Sequence, residues 1–311
     1  MKEYKNSFLC LVIALIWGCA FVAQSVGMEY IGPFTFTAAR FFIGSAVLLP
    51  VILLVPAQPA GDEAPVQPKS WFLRAGILCG AVIFLSQSIQ QVGIQYTSVG
   101  KAGFISSTYM ILVPLFSWVF FRQKVPPKLW ASIAIAIAGM YFLCMSESFH
   151  INLGDLLILL CSVVIALHTL LVSRFVLYCD SRKLACLQFF VGGCISLAAA
   201  FLFEEPSWQG VLACAVPLLY LGVLSSGLAT TLQMLVLRET DPTVVSLLTS
   251  LQSVFSVLAG WLILGQGFSQ RELFGCVLVF AAVILVQLPS RKKNPQEVKA
   301  PAVATGSGRD Q

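Results

Sequence analysis

Long apolar runs, separated by short polar segments, follow one another along almost the whole chain. A helix needs roughly 20 apolar residues to cross the hydrocarbon core of a bilayer, and ten of the runs are of about that length. Continuous apolar runs indicate helices, because the strands of a membrane barrel would alternate apolar and polar residues. The predicted spans are Phe8–Val26, Phe34–Val55, Trp71–Ile94, Val99–Phe121, Leu129–Met145, Leu153–Phe175, Leu184–Phe203, Val211–Leu237, Thr243–Leu264 and Glu272–Leu288.

The composition agrees with a chain that lies mostly inside a membrane. Of its 311 residues, 58% are hydrophobic and only 11% are charged. Soluble domains carry about 25% charged residues, so a soluble enzyme, a disordered chain and a soluble nucleic-acid-binding protein are excluded. The sequence therefore predicts an all-α integral membrane protein with ten transmembrane helices.

The basic residues predict the orientation, because Lys and Arg collect on the cytoplasmic side of a membrane. With a cytoplasmic N-terminus, 16 of the 19 basic residues lie in cytoplasmic segments, two lie outside, and Arg40 lies within the second span. An even number of spans returns the C-terminus to the cytoplasm. We therefore expect a multi-pass protein of the cell inner (plasma) membrane with both termini cytoplasmic. The segment 289–311, rich in Pro, Ala, Gly and charge, is predicted to be a disordered cytoplasmic tail.

A weak internal repeat relates the two halves of the chain. At an offset of 143 residues, spans three to five align with spans eight to ten, and Gln90 matches Gln233. At an offset of 148 residues, spans one and two align with spans six and seven, and the segment 39–44 falls on 187–192. The change of five residues between the two offsets is explained by a longer loop between the second and third spans.

The repeat has a direct consequence for topology. A unit of five spans is odd, so its second copy must enter the membrane from the opposite side. This is an inverted repeat, which allows one half of a transporter to rock against the other around a site near the middle of the membrane. The sequence thus predicts two inverted five-helix repeats, residues 1–147 and 148–288.

Short motifs in four of the spans point to a family. Trp17–Phe21 has the form Trp-Gly-x-x-Phe, and Pro33–Phe41 combines Pro-Phe with Ala-Arg-Phe. Val113–Pro114 lies in the fourth span, and Asp241–Leu248 (Asp-Pro-Thr-Val-Val-Ser-Leu-Leu) opens the ninth. These segments resemble the drug/metabolite transporter superfamily, in its EamA-type ten-helix branch, over residues 8–288. The resemblance implies two inverted halves that move small metabolites, often amino acids or related compounds and often outward.

The chain departs from that family pattern at three positions. The resemblance implies a glutamate in the ninth span and a glutamate shortly after each of the fourth and ninth spans. Here the corresponding residues are Gln252, Gln123 and Gln266. Any proton-carrying role of those carboxylates in relatives therefore does not transfer to this chain.

Arg40 and His168 are the ionisable side chains that lie deepest in the predicted spans, where a charge is costly. Arg40 either binds the carboxylate or phosphate of an anionic substrate, or extends to the outer interface and backbone carbonyls.

His168 can change its charge between pH 5 and 8. It either relays a proton in the cavity or stays neutral and hydrogen-bonds a neighbouring helix. Proton coupling and facilitated diffusion both remain open.

Amides and aromatic groups mark the expected substrate cavity. Lipid offers polar side chains no partner, so such groups face other helices or a wet cavity. We expect the buried glutamines to face the cavity, and the aromatic side chains of Trp17 and Tyr109 to form its walls. Pro114 is the expected hinge of the fourth span. The predicted substrate-binding residues are Trp17, Arg40, Gln87, Gln90, Gln91, Tyr109, His168 and Gln252.

These features together predict a secondary transporter that moves a small organic metabolite, or a drug-like compound, outward by alternating access. A channel or facilitator is the alternative within transport. An intramembrane enzyme is disfavoured, because the spans contain no histidine cluster or pair of aspartates. No nucleotide-binding motif is present, and no cofactor, metal or nucleic-acid partner is expected. The expected partners are a small-molecule substrate and the lipid bilayer, while the substrate and the oligomeric state are left open.

Overall fold

Helices form where the apolar runs lie. The computed structural model describes residues 2–54, 69–122, 126–144, 152–265 and 270–287, and all the regular structure within them is helical. The predicted tail, Gln123 and Gln266 lie outside these residues. The helices are α1 (Lys2–Gly27), α2 (Pro33–Leu54), α3 (Lys69–Ile94), α4 (Val99–Ser107), α5 (Tyr109–Phe121), α6 (Pro127–Cys144), α7 (Leu153–Phe175), α8 (Ser181–Phe203), α9 (Trp208–Ala213), α10 (Ala215–Leu219), a π-helix (Tyr220–Ala229), α11 (Thr230–Glu239), α12 (Pro242–Thr249), α13 (Gln252–Leu264) and α14 (Gln270–Gln287).

The helices account for all ten predicted spans. Eight helical stretches among the described residues are long and apolar enough to cross a membrane. Two shorter apolar stretches, Pro127–Gly139 and Leu273–Leu285, lie within α6 and α14, where the fifth and tenth spans were expected. The prediction of an all-α, multi-pass membrane fold is confirmed. We name the membrane face at which α1 begins the near face, and the face at which it ends the far face.

Local signals determine where the helices begin and end. Asn152 and Asp155 form a capping box at the start of α7, with the Asn152 side chain accepting from the Asp155 N–H at 2.8 Å. Asp241 accepts from the Thr243 N–H at 2.8 Å and precedes a proline at the first position of α12. Such caps satisfy N–H groups that have no partner within the helix.

The start of α2 is held by a side chain from the other half of the chain. Glu204, at the end of α8, accepts hydrogen bonds from the Phe34 N–H at 2.7 Å and the Thr35 N–H at 2.8 Å. A negative charge at a helix N-terminus is stabilised by the helix dipole. Gly32 makes room for this contact, because a Cβ there would lie 2.3 Å from the Glu204 carboxyl carbon. The contact fixes the position of α2, which carries Arg40.

Helices of the two halves interlock in related pairs. The helices α2 and α8, which correspond in the repeat, pack against each other, and so do α6 and α14. The packing of α3 on α8 has its counterpart in the packing of the π-helix on α2. In the same way, α1 packs on α12 and α13. Its repeat counterpart α7 packs on α4 and α5, which are the counterparts of α12 and α13. The chain therefore has a two-repeat architecture in which each half supplies neighbours for the other.

The fourth and ninth spans are broken helices, whereas the sequence predicted continuous ones. The breaks lie at Thr108 and at Ser250–Leu251, and an offset of 143 residues places Thr108 on Leu251. Side-chain hydroxyls at the breaks hydrogen-bond to backbone carbonyls, as Thr108 does to Ile105 at 2.7 Å and Ser250 to Leu247 at 2.6 Å. Such bonds compete with the helical ladder. Pro114, the expected hinge or kink of this span, lies inside α5, six residues after the break at Thr108.

The eighth span also differs from the continuous α-helix that was predicted. It passes from α10 through ten residues of π-helix into α11. Thr230 marks the wider turn, because both its N–H and its hydroxyl bond to the carbonyl of Ser225, five residues earlier. π-helical turns are rare and occur frequently at functional sites. This one faces the cavity described below.

Candidate functional site

A cavity lies among α1, α2, α3, α7, α8 and the irregular segments of the fourth, eighth and ninth spans. It encloses about 700 Å³ of space without protein atoms, counted out to its open mouth. Its lining residues are Trp17, Ala20, Phe21, Gln24, Arg40, Phe41, Ile83, Gln87, Gln90, Ser106, Tyr109, Ile165, His168, Thr169, Phe189, Ser225, Ser226, Thr230, Gln233 and Gln252.

Seven of the eight predicted substrate-binding residues line this cavity. They are Trp17, Arg40, Gln87, Gln90, Tyr109, His168 and Gln252. The eighth, Gln91, is fully buried outside the lining, and its side-chain amide donates to the backbone carbonyl of Gln24 at 3.2 Å. Substrate binding by these residues stays a prediction, but the structure brings seven of them together around one space.

Repeat-related residues face each other across the cavity. When the two sequence offsets are applied to the lining, sixteen of its twenty residues form eight pairs. The cavity therefore lies where the two repeats meet. The pairs are Trp17 with Ile165, Ala20 with His168, Phe21 with Thr169, Phe41 with Phe189, Ile83 with Ser226, Gln87 with Thr230, Gln90 with Gln233, and Tyr109 with Gln252.

The same pairing accounts for a lining residue that is not among the predicted substrate-binding residues. Gln233 is only 6% exposed and lies on the cavity wall, at the position equivalent to Gln90. The internal repeat could have predicted Gln233, because its equivalent, Gln90, is among the predicted substrate-binding residues. The hydroxyl groups of the π-helix, Ser225 and Ser226, were not predicted because their orientation depends on the wider helical turn.

Arg40 brings a buried positive charge to the wall. Its side chain is in α2, is 3% exposed, and donates from one Nη to the Oε1 of Gln87. The guanidinium carbon lies 5.1 Å from the centroid of the Phe41 ring. The Arg40 Nε is buried without a hydrogen-bond partner. A buried guanidinium held by one neutral amide and one ring keeps donors available for a ligand.

His168 is held by a residue equivalent to Arg40. Its Nε2 lies 3.0 Å from the Oε1 of Gln188, and Gln188 corresponds to Arg40 at the offset of 148. An amide oxygen can only accept, so in this orientation His168 carries its proton on Nε2. The Nε2 of Gln188 is buried without a partner. The two equivalent positions thus carry a cation in one half and a neutral amide in the other.

The two broken helices are joined to each other beside the cavity. The Tyr109 hydroxyl lies 2.5 Å from the Thr249 Oγ1, and the Gln252 Nε2 donates to the Ser107 Oγ at 3.3 Å. Tyr109 and Gln252 occupy equivalent positions, each just after a break. Movement of one broken helix is therefore transmitted to the other through these hydrogen bonds.

Polar contacts made by two repeat-related threonines join helix ends at both faces of the membrane. At the far face, Asp155 accepts from the Thr97 hydroxyl at 2.6 Å and pairs with the Lys101 ammonium at 3.4 Å. At the near face, Asn6 donates to the Thr240 hydroxyl at 3.1 Å. Thr97 and Thr240 are related by the offset of 143. The far contact is ionic and the near contact is not, although Asn6 also reaches Glu239 at 3.3 Å.

An apolar cluster lies between the cavity and the far contact. Its members are packed side chains of α1, α3, α4, α7 and α13. Phe21, which also lines the cavity, is 2% exposed, and Ile158 is fully buried. The cluster consists of Phe21, Val22, Ile94, Val99, Ala102, Ile158 and Ala259.

Comparison with known proteins identifies the class. The EamA-like transporter family matches residues 5–145 and 152–288. An uncharacterized transporter of Archaeoglobus fulgidus is 28% identical over 92% of this chain and 87% of its own length. An S-adenosylmethionine/S-adenosylhomocysteine transporter of Chlamydia muridarum is 22% identical over 88% of this chain and 91% of its own length. A solved crystal structure with 20% identity has the same fold, with a TM-score of 0.72 over 92% of this chain and 97% of the other.

Fold and cavity define a multi-pass membrane transporter of small solutes. The chain belongs to the EamA-like transporter family. This membership points away from an enzyme. Within the described residues, no group of three His, Cys, Asp or Glu side chains is arranged to hold a metal ion.

Proposed function

We propose that the protein is a secondary transporter that moves a small organic metabolite, an amino acid or a related compound, by alternating access. The observation that carries the proposal is the cavity wall, which is built from eight pairs of repeat-related residues. Inverted repeats of this kind place a substrate site at their interface and exchange its exposure by rocking one repeat against the other. A carrier must be able to close its site at either end, whereas a channel does not need closures at both ends.

The contacts at the two faces support alternating access. Two helix-end contacts made by repeat-related threonines, Thr97–Asp155 and Asn6–Thr240, lie on opposite sides of the cavity. If the second repeat is inverted, opening one contact while the other stays closed exchanges the accessible face. The broken helices beside the cavity provide the flexible segments for this movement, as discontinuous helices do in other transporters.

The character of the wall supports a small, partly polar cargo. Amides and hydroxyls alternate with the aromatic faces of Trp17, Phe41 and Phe189. The relative of Chlamydia muridarum transports S-adenosylmethionine and S-adenosylhomocysteine, which are amino-acid derivatives, and this supports a metabolite of that class.

We further propose that the near face is cytoplasmic, because the predicted topology assigns 16 of the 19 basic residues to that side. We also propose that transport runs outward, as the family resemblance implies.

Counterflow in proteoliposomes tests the proposal. Vesicles containing the purified protein are preloaded with unlabelled amino acids and S-adenosylmethionine, and the same compounds are added outside in labelled form. A carrier gives uptake that saturates and is accelerated by preloading. Uptake that rises linearly with concentration, together with a solute-dependent conductance, would instead identify a channel.

Replacing the paired glutamines provides a second test of the cavity. Gln90→Leu and Gln233→Leu should each weaken cargo binding about tenfold, because each removes a hydrogen-bonding amide from the wall. Gln95→Leu is the matched control, since Gln95 is exposed in the turn directly after the helix that carries Gln90. The half-saturation concentration of uptake is measured for all three variants. Equal values for the three would place the binding site elsewhere.

A further inference from the structure

We propose that Arg40 binds the carboxylate of the cargo, and that the cargo carries a single anionic group. The proposal deepens the proposed function and rests on it. It selects between the two interpretations that the sequence left open for Arg40, substrate binding and extension to the membrane interface.

The position of the guanidinium argues against a purely structural role. An arginine that extends to the interface keeps its charged group in water, whereas Arg40 is 3% exposed and lines the cavity. Among the described residues its side chain makes one hydrogen bond, to the neutral oxygen of Gln87, and its Nε has no partner there. A buried charge without a counter-charge is strongly unfavourable. A bound anion would remove that penalty.

The surroundings of Arg40 prepare it for a planar anion. Gln87 holds one Nη, and the Phe41 ring lies 5.1 Å from the guanidinium carbon. The remaining N–H groups form the planar fork that matches the two oxygens of a carboxylate. Gln87 is in this arrangement a positioning residue, which holds the guanidinium in place without carrying charge.

The charge balance of the wall limits the cargo to one negative group. The lining residues contain no carboxylate, so an ammonium group on the cargo would meet only neutral oxygens and aromatic faces. The position equivalent to Arg40 is occupied by Gln188, whose oxygen is taken by His168, so the second half offers no second cation there. One anionic group therefore balances the charge of Arg40, whereas a second would find no further arginine or lysine in the lining.

Compounds that differ only in charge test the proposal. Binding of phenylacetate, phenylacetamide and 2-phenylethylammonium, and of butyrate and butyramide, is measured on the purified protein by calorimetry. The expected result is that the carboxylate of each set binds about tenfold or more tightly than its amide, and that the ammonium compound binds no better than the amide. A wild-type protein without this preference, including one that binds neither member of a pair, overturns the proposal.

Variants of Arg40 and Gln87 separate a binding role from a structural one. Arg40→Gln, which copies the residue at the equivalent position, should abolish the carboxylate preference, so that the carboxylate and the amide of each set bind with equal affinity. Arg40→Lys should retain part of the preference for the carboxylate over the amide. Gln87→Leu should lower carboxylate affinity by less than Arg40→Gln does. Thermal unfolding of the empty variants shows that they are folded. A preference that persists in Arg40→Gln overturns the proposal.

The outcome is distinguishable from failure of the proposed function. Saturable counterflow of a neutral or cationic compound that Arg40→Gln leaves unchanged would overturn the role of Arg40 and keep the carrier. Linear, channel-like flux would overturn the carrier itself, whatever the charge preference measured in the binding experiment.

Discussion

Replacement of Gly18 by alanine is expected to reduce transport about tenfold or more, because small displacements at a site have effects of this size, and to lower thermal stability. Gly18 lies in α1 against α13, and a Cβ there would be 2.3 Å from the Phe255 Cβ and 2.9 Å from the Gln252 carbonyl oxygen. The clashing atoms belong to the backbone or lie next to it. The two helices must therefore separate, which moves Trp17 and Gln252 on the cavity wall.

Two opposing effects decide the sign of this prediction. Alanine is a better helix former than glycine by about 1 kcal/mol, which favours the variant. Overpacking costs about 1–3 kcal/mol and more where backbone must move. At contacts below 3 Å the second effect is the larger one, so the net change is destabilising.

A matched glycine provides the control. At Gly100 in α4 the nearest atom to an added Cβ is the Val257 Cγ2 at 3.5 Å, which is an ordinary contact. Gly100→Ala should therefore keep or slightly raise the melting temperature. Transport rate and melting temperature are measured for both variants, and a Gly18→Ala protein that matches Gly100→Ala would show that α1 and α13 tolerate separation.

Replacement of Asp155 by alanine is expected to open the far face. The substitution removes the hydrogen bond from Thr97 at 2.6 Å, the ion pair with Lys101 at 3.4 Å and the capping bond from the Asn152 N–H at 3.2 Å. The Asp155 side chain is 7% exposed, so these contacts are partly protected from solvent screening. We expect the closed state to lose about 2 kcal/mol, the value of a hydrogen bond to a charged group, because the capping bond lies within α7 and forms in both states.

Hydrogen exchange at the helix ends measures this opening. Backbone amides at the start of α7 and α4 should exchange faster in Asp155→Ala, while those near Asn6 should not. Asn6→Ala is the counterpart at the near face and should have a smaller effect, about 1 kcal/mol, because the hydrogen bonds that Asn6 donates to Thr240 and to the exposed Glu239 involve no ion pair. Unchanged exchange at the far face in Asp155→Ala would mean that the apolar cluster alone holds it closed.

The sequence predicts the helices well because burial in a membrane leaves a continuous apolar signal. The span predicted at Leu153–Phe175 has the same bounds as α7, where a capping box marks the start. The break in the fourth span could not be predicted in this way. Thr108 uses its hydroxyl both on the Ile105 carbonyl and toward Ser162 of α7 at 2.9 Å, and the second contact depends on how the helices pack.

The cavity residues are predictable to the extent that deep polar groups must face something polar. Gln87, Gln90 and Gln91 all satisfy that condition, but only the first two line the cavity. Adjacent residues on a helix point about 100° apart, so the rotation of α3 decides between them, and the sequence does not contain that rotation. The contact of Gln87 with Arg40 could not be predicted either, because it joins two helices and depends on how each is rotated.

In the proposed alternating-access carrier, the paired wall of the cavity makes transport in the two directions thermodynamically alike. A solute that arrives from either side meets the same groups, drawn from both repeats, so the two apparent affinities differ only through the free energies of the two open states. The ion pair of Asp155 at one face and the uncharged bond of Asn6 at the other make those states unequal. Each 1.4 kcal/mol of that inequality changes the ratio of the affinities about tenfold. The ratio sets the concentration at which each side half-saturates, whereas the gradients alone set the direction of net flux.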